Sequence, residues 1–213
     1  PVESLNAVME TDLDLLKYEY SQGSLEFRKN LCNYYKKHSI HISPDDIITT
    51  FGASEALSFT MNSICDPGEE VIIPEPFYAN YNGFALASDV NVIPITSKIE
   101  DNFALPSIHE FEKKINGKTR AILLCNPCNP TGYVYSQEEI TNIANLAKKN
   151  DLFIVVDEVY REFIYTDTKH FSILEDEKFS ENAILIDSIS KRYSLCGARV
   201  GFIVSKNSEF IDT

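Results

Sequence analysis

The sequence predicts an α/β fold, a three-layer α/β/α domain built on a mostly parallel, seven-stranded sheet. Three features lead there. Short apolar runs rich in β-branched residues recur along the chain, and polar stretches with helical spacing separate them. Several of the runs are apolar throughout, as strands covered on both faces must be.

In chain order, Ser24–Lys37 reads as a helix, with Leu25, Leu31 and Tyr35 set among charges. Ile47–Thr50 is the first strand. Ser54–Ile64 comes next as a helix that opens on a serine, a favoured N-cap, after a glycine. Val71–Pro74, Val90–Ile95 and Arg120–Cys125 are the next strands. Ser136-Gln-Glu-Glu139 has the capping-box pattern and leads a helix to about Lys149. Leu152–Asp157, Ala183–Asp187 and Val200–Val204 complete the set of strands. Phe153-Ile-Val-Val-Asp157 is the clearest of them, a buried strand that delivers a carboxylate at its C-terminal end. Ligands of doubly wound sheets bind outside the carboxyl ends of the strands, so chemistry is expected there.

The chain has 213 residues, enough to bury a sizeable core, and no proline- or serine-rich linker divides it, so one domain over residues 1–213 is expected. Hydrophobic residues make up 44% and charged residues 24%, ordinary for a globular protein. With 19 basic against 32 acidic residues the net charge is −13, which argues against a nucleic-acid partner. No apolar run reaches the length of a membrane span, so no membrane partner is expected. The start, Pro1-Val-Glu-Ser-Leu-Asn, has neither the basic nor the apolar part of a secretory signal. Five cysteines cannot all pair and none has the spacing of a disulfide framework, so a cytoplasmic location is expected. Cys125 and Cys128 form a lone C-x-x-C; without a second pair or a nearby histidine it reads as structural, and no metal site is expected.

Four segments fall just past strand ends. Phe51-Gly-Ala-Ser-Glu55 lies between a strand and a helix, where small residues admit a ligand and free N–H groups face an anion. Asn126-Pro-Cys-Asn-Pro-Thr-Gly132 combines two Asn-Pro steps and a glycine, which fix an unusual backbone path; a rigid turn is its plain alternative. One Asn–Pro bond, that of Asn129–Pro130, is expected to be cis. Asp157-Glu-Val-Tyr160 sets an acid and a phenol three residues apart, neighbours if the segment begins a helix; otherwise Asp157 merely caps the next helix. Ser188-Ile-Ser-Lys-Arg-Tyr-Ser-Leu-Cys-Gly-Ala-Arg-Val-Gly201 packs serines, a lysine and arginines into a polar loop, a phosphate cradle with a reactive lysine or else a solvated basic patch.

Taken in this order, N-P-x-N-P-T-G, then D-E-x-Y, then S-x-S-K-x-x-x-x-x-G-x-R-x-G, the chain resembles the fold-type I pyridoxal-phosphate enzymes, specifically the class I/II aminotransferases. The resemblance runs over essentially the whole chain. It implies that Lys191 carries pyridoxal 5'-phosphate as a Schiff base and moves the substrate proton, that Asp157 pairs with the pyridine nitrogen, and that Tyr160 and Asn129 hydrogen-bond the cofactor's phenolic oxygen. It also implies that Arg199, Ser188 and the backbone N–H groups of Ala53 and Ser54 hold the phosphate, and that Tyr78 stacks on the ring. Tyr18 matches the tyrosine that reaches the neighbouring subunit's phosphate, which implies a homodimer with shared sites.

The chain departs from the family pattern in length. The resemblance implies a large cofactor-binding domain truncated at both ends, with the small C-terminal domain and its carboxylate-gripping arginine absent. Ser54 stands where one aspartate-specific branch carries a lysine, which puts dicarboxylate specificity in question. The activity implied is amino transfer between an α-amino acid and a 2-oxo acid. A carbon–sulfur β-lyase of the same fold is the alternative within enzymes, although that branch tends to carry histidine where Tyr160 stands. A non-enzymatic regulator module that senses pyridoxal phosphate is the other alternative.

Overall fold

The computed structural model describes residues 2–10 and 18–213. Its helices are α1 (Val2–Met9), α2 (Leu25–Lys36), α3 (Ala53–Ile64), α4 (Asn80–Ala87), α5 (Ile108–Lys114), α6 (Gln137–Lys149), α7 (Ile189–Arg192) and α8 (Ser208–Asp212). Its strands are β1 (Ile47–Thr50), β2 (Glu70–Glu75), β3 (Asn91–Thr96), β4 (Thr119–Cys125), β5 (Phe153–Asp157), β6 (Ala183–Ser188) and β7 (Gly201–Val204). They form one 7-stranded sheet in the order β1-β7-β6-β5-β4-β2-β3. Each expected strand is found within one residue of its predicted bounds, and β1 on them.

The sheet is parallel except at β7, which runs antiparallel to both β6 and β1. That reversal decides where the site lies. Gly201 opens β7 opposite Thr50, the last residue of β1, and opposite Ser188, the last of β6. The turn into α3, the loop before β7 and the loop after β6 therefore meet at one edge. On the neighbouring rungs Asp157 pairs with Cys125 of β4 and Ile186 of β6.

Strand side chains alternate between two cores, as the period of two demands. Ile122, Leu124, Ile154, Val156, Leu185 and Phe202 face one way, against α2, α5 and α6. Ala121, Leu123, Val155, Ile184, Ile186 and Ile203 face the other, against α3, α4 and α8. This is the three-layer arrangement expected. In α6 the fully buried Ile140 and Ile143 contribute about 1.5–3 kcal/mol each through burial.

The predicted capping box is present: Ser136 Oγ accepts the Glu139 N–H at 3.2 Å and Glu139 Oε2 accepts the Ser136 N–H at 2.8 Å. Two local expectations are corrected. α3 opens one residue earlier, with Gly52 as its N-cap at φ 82°, a conformation that glycine adopts without strain, so Ser54 sits inside the first turn. Glu158–Glu162 is a turn rather than a helix start, because the Asp157 carboxylate accepts the Val159 N–H at 3.2 Å and closes a tight turn. Asn129–Pro130 is cis as expected, and so are Asn126–Pro127 and Glu75–Pro76. Among the described residues no helix is long and apolar enough to cross a membrane.

Candidate active site

A cleft of about 180 Å³ opens at the C-terminal ends of β1, β4, β5 and β6. Nine of the ten candidate residues line it: Ala53, Ser54, Tyr78, Asn129, Asp157, Tyr160, Ser188, Lys191 and Arg199. The tenth, Tyr18, lies outside it with a fully exposed ring.

The floor is Asp157, 4% exposed at the end of β5. Its Oδ2 accepts the Tyr81 hydroxyl at 2.8 Å and its Oδ1 the Val159 N–H. Burial pushes the carboxyl up to about 6, against the lowering effect of those two hydrogen bonds. No cation among the described residues pairs with it. A buried carboxylate in that condition is a receptor for a positively charged group.

One wall is the beginning of α3. The backbone N–H groups of Ala53 and Ser54 make no hydrogen bond among the described residues, as first-turn groups of a helix cannot within the helix itself. Arg199, held at φ 53°, lays its guanidinium over Gly52 and donates to the carbonyls of Phe51 (3.3 Å) and Cys196 (3.2 Å). A Cβ on Gly52 would overlap that guanidinium, and one on Gly201 would overlap the backbone of Gly52 and Ala53. The two glycines let arginine and helix end converge, an arrangement suited to an anion. Ser188 Oγ adds a hydroxyl beside them while accepting the Ser190 N–H at 3.3 Å.

Lys191, Tyr160 and Tyr78 line the rest of the cleft. Lys191 Nζ lies 5.6 Å from the centroid of the Tyr160 ring, with no carboxylate partner among the described residues. Tyr78 packs edge-on against Tyr81, ring centroids 5.5 Å apart. The two asparagines of the Asn-Pro segment divide their work. Asn126, fully buried, accepts the Tyr135 N–H at 3.0 Å and donates to Phe171 O at 3.3 Å, which pins the loop, while Asn129 lines the cleft. Cys125 and Cys128 are buried free thiols. Cys125 lines the cleft, its Sγ accepting the Asn129 N–H at 3.4 Å and donating to Pro127 O at 3.3 Å. Desolvation holds this thiol well above its ordinary pKa, so it stays protonated.

The sequence did not single out Tyr81 or Cys196, which also line the cleft, and gave Ser190 only as part of its motif. Tyr81 was the legible one: it stands three residues after Tyr78, the spacing that brings side chains together at a helix start.

Residues 4–213 match the family model described as aminotransferase class I and II. The chain belongs to that family. An aspartate aminotransferase of Pyrococcus horikoshii is 37% identical over 190 residues, 88% of this chain and 48% of that protein. An aromatic-amino-acid aminotransferase 2 of Thermococcus litoralis is 32% identical over 196 residues, 91% of this chain and 50% of that protein. The crystal structure of aspartate aminotransferase from Thermotoga maritima superposes with a TM-score of 0.89 at 32% identity, covering 98% of this chain and 55% of that one. The chain spans about half the length of the curated relatives it matches.

Members of this family use pyridoxal phosphate. The cleft fits that group on its donor set. It offers an unpaired buried carboxylate for a cationic ring nitrogen, and a free amine for an aldehyde. Its arginine, paired among the described residues only to backbone carbonyls, stands beside helix N–H groups that make no hydrogen bond there, and suits a phosphate. Among the described residues Lys191 and Arg199 stand there without a carboxylate partner, in a chain of net charge −13, which marks the spot for an anion.

Proposed function

We propose that the protein transfers an amino group between an α-amino acid and a 2-oxo acid, with pyridoxal phosphate bound in this cleft and held covalently at Lys191 Nζ. The observation that carries the proposal is the convergence, from loops 138 residues apart in sequence, of the α3 N-terminus and Lys191 around a buried, unpaired Asp157.

When bound, pyridoxal phosphate supplies an electrophilic carbon for the amine and a ring that accepts the electrons released as the substrate Cα–H bond breaks. The residues of this chain do the rest. Asp157 keeps a positive charge on the ring nitrogen; the charge that binding introduces lowers the carboxyl from its raised value and so secures the ionised form. Arg199, Ser188 and the N–H groups of Ala53 and Ser54 hold the phosphate, while Tyr78 covers a ring face. Tyr160 and Asn129 hold the phenolic oxygen. Lys191 Nζ would act as the base that takes the proton from substrate Cα and, as the acid, would pass it to the cofactor carbon that carries the amino nitrogen. Tyr81 fixes the Asp157 carboxylate through its 2.8 Å hydrogen bond.

The same reading makes residues 1–213 the cofactor-binding domain, puts the groups that grip the substrate carboxylate outside this chain, and has Tyr18 of one protomer serve its partner's site in a cytoplasmic homodimer. Ser54 brings no cation to the cleft, so selection for a dicarboxylate requires one from elsewhere in the protein. Aspartate and aromatic amino acids, named in the relatives, head the donor panel. Full-length protein is assayed against amino donors and 2-oxo acceptors, with cystathionine as a lyase substrate. Amino transfer to a 2-oxo acid supports the proposal, and release of thiol and pyruvate without transfer sinks it.

A further inference from the structure

The two loops that carry the candidate reactive groups have a second face. The alternation of side chains along β5 and β6 sends Asp157 and Ser188 to the cleft and Asp187 the other way, toward α2, where Glu158, the residue after β5, pairs with an arginine that packs on Tyr35. Behind the cleft these residues build a buried charged network. Asp187, fully buried, accepts the Tyr35 hydroxyl (2.8 Å) and an Arg192 Nη2–H (2.5 Å) at Oδ2, and the Ser188 N–H (2.6 Å) at Oδ1. The Arg192 guanidinium lies 4.1 Å from the centroid of the Tyr34 ring, and its Nε is 3.6 Å from Glu162. The Tyr34 hydroxyl donates to the same Glu162. Next to it, Arg161 pairs with Glu158 at 3.4 Å and lies 5.0 Å from the Tyr35 ring centroid.

Sequence position gives the network its meaning. Asp187 and Arg192 bracket Lys191, so their ion pair closes a brace over the single turn of α7 that presents the lysine. Glu158, Arg161 and Glu162 interleave with Asp157 and Tyr160. One rigid tyrosine pair on α2 thus ties the lysine loop to the loop of the acid and the phenol. The core alone does not require this: an apolar filling of the same space is generally as stable as a buried ion pair. What charges with fixed geometry add is a defined position for the loops they hold.

We propose that Arg192, acting through Asp187 and Glu162, is a positioning residue that sets where Lys191 Nζ stands relative to the cofactor aldehyde. This rests on Lys191 being the residue that holds pyridoxal phosphate. Arg192 is not among the residues that line the cleft.

The test separates placement of the amine from binding of the ring and phosphate. Pyridoxamine phosphate has no aldehyde, so its affinity reports the cradle and Asp157 alone. The rate at which cofactor-free full-length protein captures pyridoxal phosphate, trapped with borohydride and mapped to Lys191, reports the amine. In Arg192→Gln capture slows by about tenfold or more, since displacement of a reacting group by about 1 Å costs up to about a hundredfold. Pyridoxamine phosphate affinity stays within about twofold of the parent. Glu162→Gln, at the exposed rim, keeps the Asp187 pair and slows capture by a smaller factor of about three. Unchanged capture in both variants overturns the proposal. So does a parallel loss of capture and pyridoxamine phosphate affinity, the mark of a merely structural role. If Arg192→Gln does not fold, Glu162→Gln and Arg192→Lys decide by the same criterion. Adduct formation that survives Lys191→Ala overturns the underlying cofactor assignment instead.

Discussion

Replacing Asp157 by asparagine changes stability in the cofactor-free protein and activity in the cofactor-bound one. Burial holds the carboxyl at about 6, above its ordinary 3.8, so the folded protein binds this proton more tightly than the unfolded chain. The stability tied to the proton is fully present below pH 3.8 and is lost as the pH rises through about 6. At about pH 8 the ionised form therefore costs the cofactor-free fold on the order of 3 kcal/mol, at about 1.36 kcal/mol per pH unit. Asparagine removes that cost but has one oxygen where aspartate uses two, for Tyr81 and Val159, and losing one hydrogen bond costs about 1 kcal/mol. The net expectation is a cofactor-free Asp157→Asn protein more stable by about 2 kcal/mol at about pH 8 and less stable by about 1 kcal/mol at about pH 4. Urea unfolding of the cofactor-free full-length protein at the two pH values measures both. With cofactor bound the effect falls on activity: the variant still takes up pyridoxal phosphate but loses amino transfer by several orders of magnitude. Destabilisation at both pH values, or near-normal turnover, would refute the reasoning and leave Asp157 as a turn-closing residue.

The phosphate cradle and the α6 cap each give a further expected outcome. Arg199→Gln weakens pyridoxamine phosphate binding about 10- to 100-fold, the equivalent of a charged hydrogen bond worth about 1.5–3 kcal/mol, and fluorescence titration reads it. Ser136→Ala lowers unfolding stability by about 1 kcal/mol through loss of the α6 cap while leaving pyridoxamine phosphate affinity unchanged.

The strands were legible because a sheet buried on both faces leaves little room for polar residues, and Ile154, Val155 and Val156 state that plainly. The candidate site was legible because its loops carry residue types with few other uses, such as the Asn-Pro steps and the lysine after Ser190. Other features depended on geometry that a local pattern does not encode. The cap of α3 went to Gly52 because the Arg199 guanidinium fills the space a side chain would need. The turn after Asp157 replaced a helix because the carboxylate takes its own loop's N–H. The reversed direction of β7, which gathers three loops at Gly201, leaves no mark on the composition of Val200–Val204. The network behind the cleft was the least legible, since Tyr35 and Asp187 meet across 152 residues of chain.

The central claim is that Lys191 holds the cofactor. Full-length protein loaded with pyridoxal phosphate, reduced with borohydride, digested and mapped, tests it most directly. The account predicts the label on the peptide that contains Lys191, and its disappearance together with the cofactor absorption band in Lys191→Ala. A label on a different lysine, or an absorption band that persists in Lys191→Ala, would contradict it.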